Sequence, residues 1–546
     1  MEFFEDWGLT LAIFLPLVGA MIMMAFPKSE EGLHKMIALA TSLVVGAIGV
    51  VLLFSFDYGR ADELQWQVTV DWIDVISTQY AIGVDGISLP LLMLTFLITP
   101  LVIIYSWNHF PEPHNPKAFL ILILVLHSGM IGTFLARDLV LFFVFFEVVL
   151  LPMFFMIAVW GGEDRKYASL KFFLYTLFGS ALMLVSFLAL FFLAGGETFS
   201  IVGLAEAVRE NDVSRTAQLW VFGGMYLGFG IKVPIFPFHT WLPDAHTQAP
   251  TQGSVILAAV LLKLGTYGFV RIAIPILPEA AVAWAPWIGL MAVIGIIYGA
   301  LGCLAQTDMK RLIAFSSVAH MGYVMLGIAT LTDWGLNAAV FGMVAHGLIT
   351  GMLFFVAGSV KERYHTLEIK RLGGLLIQAP RMGWIFGFIS MASLGLPGLA
   401  GFWGEFPAIL AAYNPANGLP IGVFRGYMVV AAIGTVLAAG YLLWLLQRTA
   451  MGNPSEEFAD DPHIHDTNRE EWLAWSPLLV LILLFGLVPG LIFNTTDPAV
   501  DAQLSECLTV ETDDKANFDV GLCENEGIEV ALANLGAAVV ETAEGE

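Results

Sequence analysis

Runs of about 20 mostly apolar residues, separated by short polar stretches, recur along most of the chain. Each run is long enough to cross a ~30 Å hydrocarbon core as an α-helix. The pattern predicts fourteen spans, at residues 8–26, 36–56, 88–107, 118–136, 139–160, 168–194, 217–236, 252–274, 284–304, 312–331, 335–360, 382–413, 424–447 and 473–493. A closed β-barrel would instead show alternating segments of ~10 residues, which are absent. The expected fold class is an all-α polytopic membrane protein. Acidic Glu2, Glu5 and Asp6 precede the first run. That is the reverse of the basic region that opens a signal peptide, so the run reads as a retained helix.

Two of the spans are interrupted. The seventh contains G-F-G-I-K-V-P-I-F-P-F-H, where Pro234 lacks a backbone donor and clashes with the carbonyl of Gly230. The twelfth runs S-L-G-L-P-G-L-A-G-F-W-G-E-F-P, and Glu405-Phe-Pro407 repeats the order of Lys232-Val-Pro234. Helix breaks inside a membrane are tolerated only where protein or water covers the freed backbone groups. Interruptions at corresponding places point to an internal repeat. With the breaks an odd number of spans apart, the two repeats have opposite orientations. The expected organisation is three N-terminal helices (1–110), a first five-helix repeat (111–275), a second, inverted one (276–450), a loop with the last helix (451–493) and an acidic tail (494–546).

Composition sharpens this picture. With 58% hydrophobic and 13% charged residues, the chain is not a soluble enzyme. The net charge of −23 is concentrated in the tail, where 13 acidic residues face one lysine; no nucleic-acid partner is expected. Placing both termini outside assigns 15 of the 24 Lys and Arg to inner loops, 7 to the outer side and 2 to the membrane. That asymmetry follows the positive-inside rule. Of the three cysteines, Cys303 reads as a packing residue, while Cys507 and Cys523 lie in the tail, where a disulfide can persist. No C-x-x-C cluster, dinucleotide fingerprint or P-loop is present. No cofactor is therefore expected in this chain.

Six ionisable residues deep inside the spans are the candidates for a pathway: Glu147, Lys232, Lys263, His320, His346 and Glu405. Charges near a bilayer centre cost at least ~2.5–3.5 kcal/mol each and mark ion or proton pathways. Glu147 lies nine residues past Asp138, His320 nine past Arg311 and Glu405 nine before Asn414, each roughly 14 Å deep. Lys263 and His346 each lie eleven residues from their boundaries, Gln252 and Gly335, roughly 16 Å deep. These depths place the groups in a row parallel to the membrane plane. A lone carboxyl in hydrocarbon holds its proton and a lone lysine loses one, whereas a pair can stay ionised. Glu147 and Lys232 are the natural pair, and the histidines are suited to relaying protons near neutral pH. His127 reads as an interior packing residue. Asp138, beside Arg137 at a helix mouth, reads first as a cap.

The segments F-F-E-V-V-L-L-P-M-F-F-M-I around Glu147 and G-I-K-V-P-I-F-P-F-H-T-W-L-P-D-A-H-T-Q-A-P-T-Q-G-S-V resemble the antiporter-like membrane subunits of bacterial proton-translocating NADH:quinone oxidoreductase, respiratory complex I. L-L-K-L-G-T-Y-G and D-M-K-R-L-I-A-F-S-S-V-A-H-M-G-Y continue the resemblance over roughly residues 85–450. Glutamate at 405 sets the chain on one branch, since related subunits are expected to carry lysine there. The resemblance implies fourteen helices with both termini outside, in the bacterial plasma membrane. It implies a proton-translocating, non-redox role. Glu147 and Lys232 would be the coupling pair, Lys263 the central relay, His320 and His346 the connection and Glu405 the terminal donor. Flavin, iron–sulfur clusters and quinone would belong to partner subunits, and neighbouring antiporter-like subunits would be further partners. Two alternatives share these motifs: a subunit of a multi-chain sodium/proton antiporter, and a structural anchor of a hydrogenase-type complex.

Overall fold

The computed structural model describes residues 2–459 and 461–508. Its helices follow the spans in order: α1 (Glu2–Ala25), α2 (Glu31–Ser55), α3 (Ser88–Tyr105), α4 (Pro116–Leu135), α5 (Leu139–Trp160), α6 (Arg165–Leu193), α7a (Arg215–Lys232) and α7b (Trp241–Gln248). They continue with α8 (Thr251–Ile276), α9 (Pro278–Leu304), α10 (Met309–Ala329), α11 (Asp333–Tyr364), α12a (Pro380–Ser393), α12b (Ala400–Ala411), α13 (Ile421–Thr449), α14 (Arg469–Leu487) and α15 (Gly490–Leu508). Among the described residues, twelve helices are long and apolar enough to cross a membrane. The two expected spans outside that set are α7 and α12, the ones whose sequence breaks them.

The break in α12 is not where Pro407 suggested. Pro407 lies inside α12b, and the chain leaves the helix earlier, between Ser393 and Ala400. Gly395 and Gly398 take φ of +79° and +91° there, a region that a side chain disfavours and glycine does not. A proline in the second turn of a short helix forfeits one hydrogen bond, whereas two left-handed glycines reverse the backbone. Glu405 therefore rides on a helix just past the break, whereas Lys232 is the last residue before its own.

Three further features escaped the hydropathy pattern. Q-W-Q-V-T-V-D-W-I forms strand β1 (Gln65–Ile73), antiparallel to β2 (Thr78–Val84), and this hairpin covers one face of the bundle. In α8, residues Leu257–Leu261 and Phe269–Ala273 are wound as π-helix on either side of Lys263; such wide turns are rare and concentrate at functional sites. Lastly, the acidic tail does not begin at 494. Residues 490–508 form α15, which lies over the hairpin face with Thr496, Ala499 and Val500 buried. Gln503 donates its amide to the Val270 carbonyl. The rest of the tail, including Cys523, lies outside the described residues, as does the Cys507 side chain. Cys303 is buried and free.

Ion pairs close the two faces. On the hairpin face, buried Asp85 meets Arg271 Nη2 at 2.5 Å and Arg137 Nη2 at 3.6 Å. Arg137 thus pairs with Asp85 and not with its neighbour Asp138, which caps α5 by accepting from Val140 and Leu141. Burial pushes the Asp85 carboxyl up, but Arg271 and Arg137 outweigh it and hold it at about 2, against an ordinary 3.8. Its stabilising contribution is complete above pH 3.8 and disappears as pH falls through about 2. Thermal unfolding of the wild type and Asp85→Asn across acid pH should therefore differ most above pH 4, by about 2 kcal/mol, and converge towards pH 2. On the opposite face, Arg363 at the end of α11 grips Glu471 of α14 through two 2.8 Å hydrogen bonds. Both side chains are buried, and Asn468 closes a capping box on Glu471.

Candidate functional site

The middle of α11 is wholly interior and packs against α8, α10, α12a and α12b. It brings His346 between Lys263 of α8 and His320 of α10. Lys263 Nζ lies 2.7 Å from His346 Nδ1 and also donates to the Ala258 carbonyl. Ala258 belongs to the first π-wound stretch, whose wide turn leaves that carbonyl for the lysine. The His346 and His320 rings stand 6.0 Å apart. His320 Nδ1 is hydrogen-bonded to Glu405 Oε1. On its other side, His320 Nε2 is 3.3 Å from both Ser393 Oγ and Tyr441 Oη. A cavity of about 20 Å³ touches His320, His346, Thr350, Ser393 and Glu405, enough room for a water molecule. Four of the six expected residues thus fall into two hydrogen-bonded pairs, Lys263–His346 and His320–Glu405, whose histidine rings face each other across the small cavity while His346 Nε2 has no hydrogen-bond partner.

The other two stand apart. Glu147 is half-buried on α5, beside the Ser180 hydroxyl of α6. Lys232 is buried, with Nζ 4.8 Å above the Phe146 ring, a favourable cation–π position. The two residues act on each other electrostatically, yet among the described residues they do not close an ion pair. Gly265 lets the broken end of α7a approach α8, with Lys232 Cβ and the Phe229 carbonyl against it. No direct contact joins Lys232 to Lys263.

Sequence reasoning missed His246 of α7b. It is fully buried, stacks on Phe354 at 4.4 Å, and neither ring nitrogen has a hydrogen-bond partner. It lies within electrostatic reach of both Lys263 and Lys310. Lys310 is itself buried and donates to the Ala249 carbonyl, just past α7b. The signal was present in H-T-W-L-P-D-A-H, but short, broken helices defeat a depth estimate made from boundaries. His127 is buried without a hydrogen-bond partner, edge-on to Phe96 and away from the row. Among the described residues, no three His, Cys, Asp or Glu side chains converge to ligate a metal ion.

The pattern described as NADH:quinone oxidoreductase/Mrp antiporter, TM, matches residues 136–429, and that of NADH-ubiquinone oxidoreductase chain 4, amino terminus, matches residues 10–133. NADH-quinone oxidoreductase subunit M of Rhodobacter capsulatus is 39% identical over 90% of this chain and 95% of its own length. The chain belongs to the subunit M family. The subunit M of Rickettsia typhi is 37% identical over 91% of this chain. The NAD(P)H-quinone oxidoreductase chain 4 of a Synechococcus strain is 39% identical over 92%. A chain of respiratory complex I from Thermus thermophilus superposes with a TM-score of 0.81 and 29% identity, covering 91% of this chain and 99% of that one. The Mrp complex from Dietzia shares the fold at 21% identity and a TM-score of 0.78. Subunit M membership makes this multi-pass chain part of a quinone-linked oxidoreductase.

Proposed function

We propose that this chain carries protons through its midplane row as a non-redox subunit of a bacterial NADH:quinone oxidoreductase, driven by quinone reduction in partner subunits. The supporting observation is the row Lys263–His346–His320–Glu405, two hydrogen-bonded pairs whose histidines line one water-sized cavity. Each member is a group that can hold or release a proton, and three adjacent helices deliver them to α11. The partners are the flavin- and iron–sulfur-bearing arm and the neighbouring antiporter-like subunits. Glu147 and Lys232 form the coupling pair that answers events in those partners. Protons enter through the first half, and Glu405 hands them on through the second. Both termini face the exterior of the plasma membrane.

Glu405→Gln keeps the hydrogen bond to His320 but cannot give up a proton. In the assembled complex, protons translocated per NADH oxidised should fall several-fold while electron transfer continues. An unchanged proton yield in an intact complex would overturn the assignment.

A further inference from the structure

Around Glu147 and Lys232 the two sides of the row differ, although buried Ser186, Tyr226 and Thr266 also lie towards the hairpin. Towards the face opposite the hairpin lie His246, Lys310 and the Lys171–Asp244 pair, with Nζ and Oδ2 2.8 Å apart. Towards the hairpin face lie five phenylalanines, all essentially without exposure: Phe142, Phe146, Phe187, Phe229 and Phe269. They come from four different helices, α5, α6, α7a and α8. Phe229 is the hub, with ring centroids 6.1 Å from Phe142, 6.4 Å from Phe146 and Phe187, and 5.6 Å from Phe269.

The chain directions fix which side of the row these rings occupy. α5 starts at the hairpin, where the Gln79 N–H donates to Asp138. Phe142 therefore lies five residues, about 7.5 Å, from Glu147 towards that face. α7a runs the same way, so Phe229 precedes Lys232 on the hairpin side. α6 and α8 run towards the hairpin, which places Phe187 beyond Ser180 and Phe269 beyond Lys263. Between Asp138 and Glu147 the sequence is L-V-L-F-F-V-F-F, without a polar side chain. A Cβ at Gly268 would run into the Phe229 ring, so α8 gives up a side chain to admit the hub. Lys232 Nζ rests on Phe146, at the inner surface of the cluster.

We propose that this aromatic cluster is the seal that denies the first half of the row access to the hairpin face, with Phe229 as its central element. A proton relay needs polar groups or water at hydrogen-bonding intervals. Five interlocked rings supply neither, and close packing leaves no room for water. One-sided access follows from the seal: a proton held at Glu147 or Lys232 has only the polar side, or the remainder of the row, to go to. The inference rests on the proton-relay reading above and adds a role for residues that carry no charge.

The test is passive proton leak in liposomes containing the assembled complex, measured by the decay of an imposed pH gradient without NADH. Phe229→Ala opens space for water beside Lys232 and should raise the leak roughly tenfold over the wild type. Phe229→Leu, apolar and bulky, should stay tight. Phe229→Val and Phe187→Val are milder truncations that preserve assembly and should leak in proportion to the volume removed. Combining Phe229→Ala with Glu147→Ala should abolish the extra leak, because the leak runs through the row. Tight liposomes with assembled Phe229→Val and Phe187→Val complexes would overturn the seal. A leak that survives removal of Glu147 would overturn its connection to the row. Neither readout needs turnover, so failure of the pumping assignment is registered separately by Glu405→Gln.

Discussion

A complex carrying Glu147→Ala should assemble, oxidise NADH and reduce quinone, yet translocate protons at a small fraction of the normal rate. Glu147 is half-buried, so its removal leaves a small cavity and little strain. Its effect is electrostatic. Lys232 lies buried with an aromatic ring beneath it, and Glu147 supplies the opposing charge. Without that carboxylate, a charge in the first half lacks compensation worth at least ~2.5–3.5 kcal/mol near a bilayer centre. A penalty of that size in a charge-transfer step corresponds to a roughly 100-fold slower rate. Proton uptake by vesicles, measured beside NADH oxidation, checks it, and normal pumping by the assembled variant would refute the coupling role. Lys232→Ala should behave similarly, since each member of the pair is the other's counter-charge.

The largest loss of stability is expected at Arg363. Its guanidinium makes two hydrogen bonds to Glu471 in a site with almost no exposure, and its Nε donates to the His465 carbonyl at 2.7 Å. Arg363→Ala leaves a buried, uncompensated carboxylate, a change that costs about 3–5 kcal/mol. It also cuts the tie between α11, which carries His346, and α14. The amount of this chain in the membrane and the thermal transition of the purified complex should both drop sharply. The double replacement Arg363→Met with Glu471→Leu removes both charges together and should recover most of the loss. If the double variant is as unstable as Arg363→Ala, the charge pair is not the source of the effect.

Most of the architecture was legible because each membrane-crossing helix must satisfy its own backbone and present an apolar exterior, which hydropathy reads directly. The six ionisable residues were legible for the converse reason: the cost of placing them there makes them rare. Position within a broken segment was harder to read. Proline at 407 and glycines at 395 and 398 offered competing explanations for one interruption, and only the left-handed backbone at the glycines resolves it. The π-wound turns around Lys263 left no trace in a hydropathy pattern, which does not register whether a turn holds 3.6 residues or more. His246 was passed over because α7b has only eight residues, too few for a depth estimate. The hairpin was readable in principle from the alternation in Q-W-Q-V-T-V-D-W-I, but two short strands are faint beside fourteen apolar runs.

The row from Lys263 through His346 and His320 to Glu405 has a consequence for direction. Groups in such a line exchange a proton forwards and backwards along the same path, and the ratio of the two rates is fixed by the free-energy difference between the ends. Such a line has no arrow of its own. The arrow must come from timing: which end is open to water, and when the two intervals without a hydrogen bond, Lys232 to Lys263 and His346 to His320, are bridged. On the proton-relay reading, a short movement at either interval would govern the traffic of the whole row, much as a lock gate governs a canal whose remaining reaches lie level.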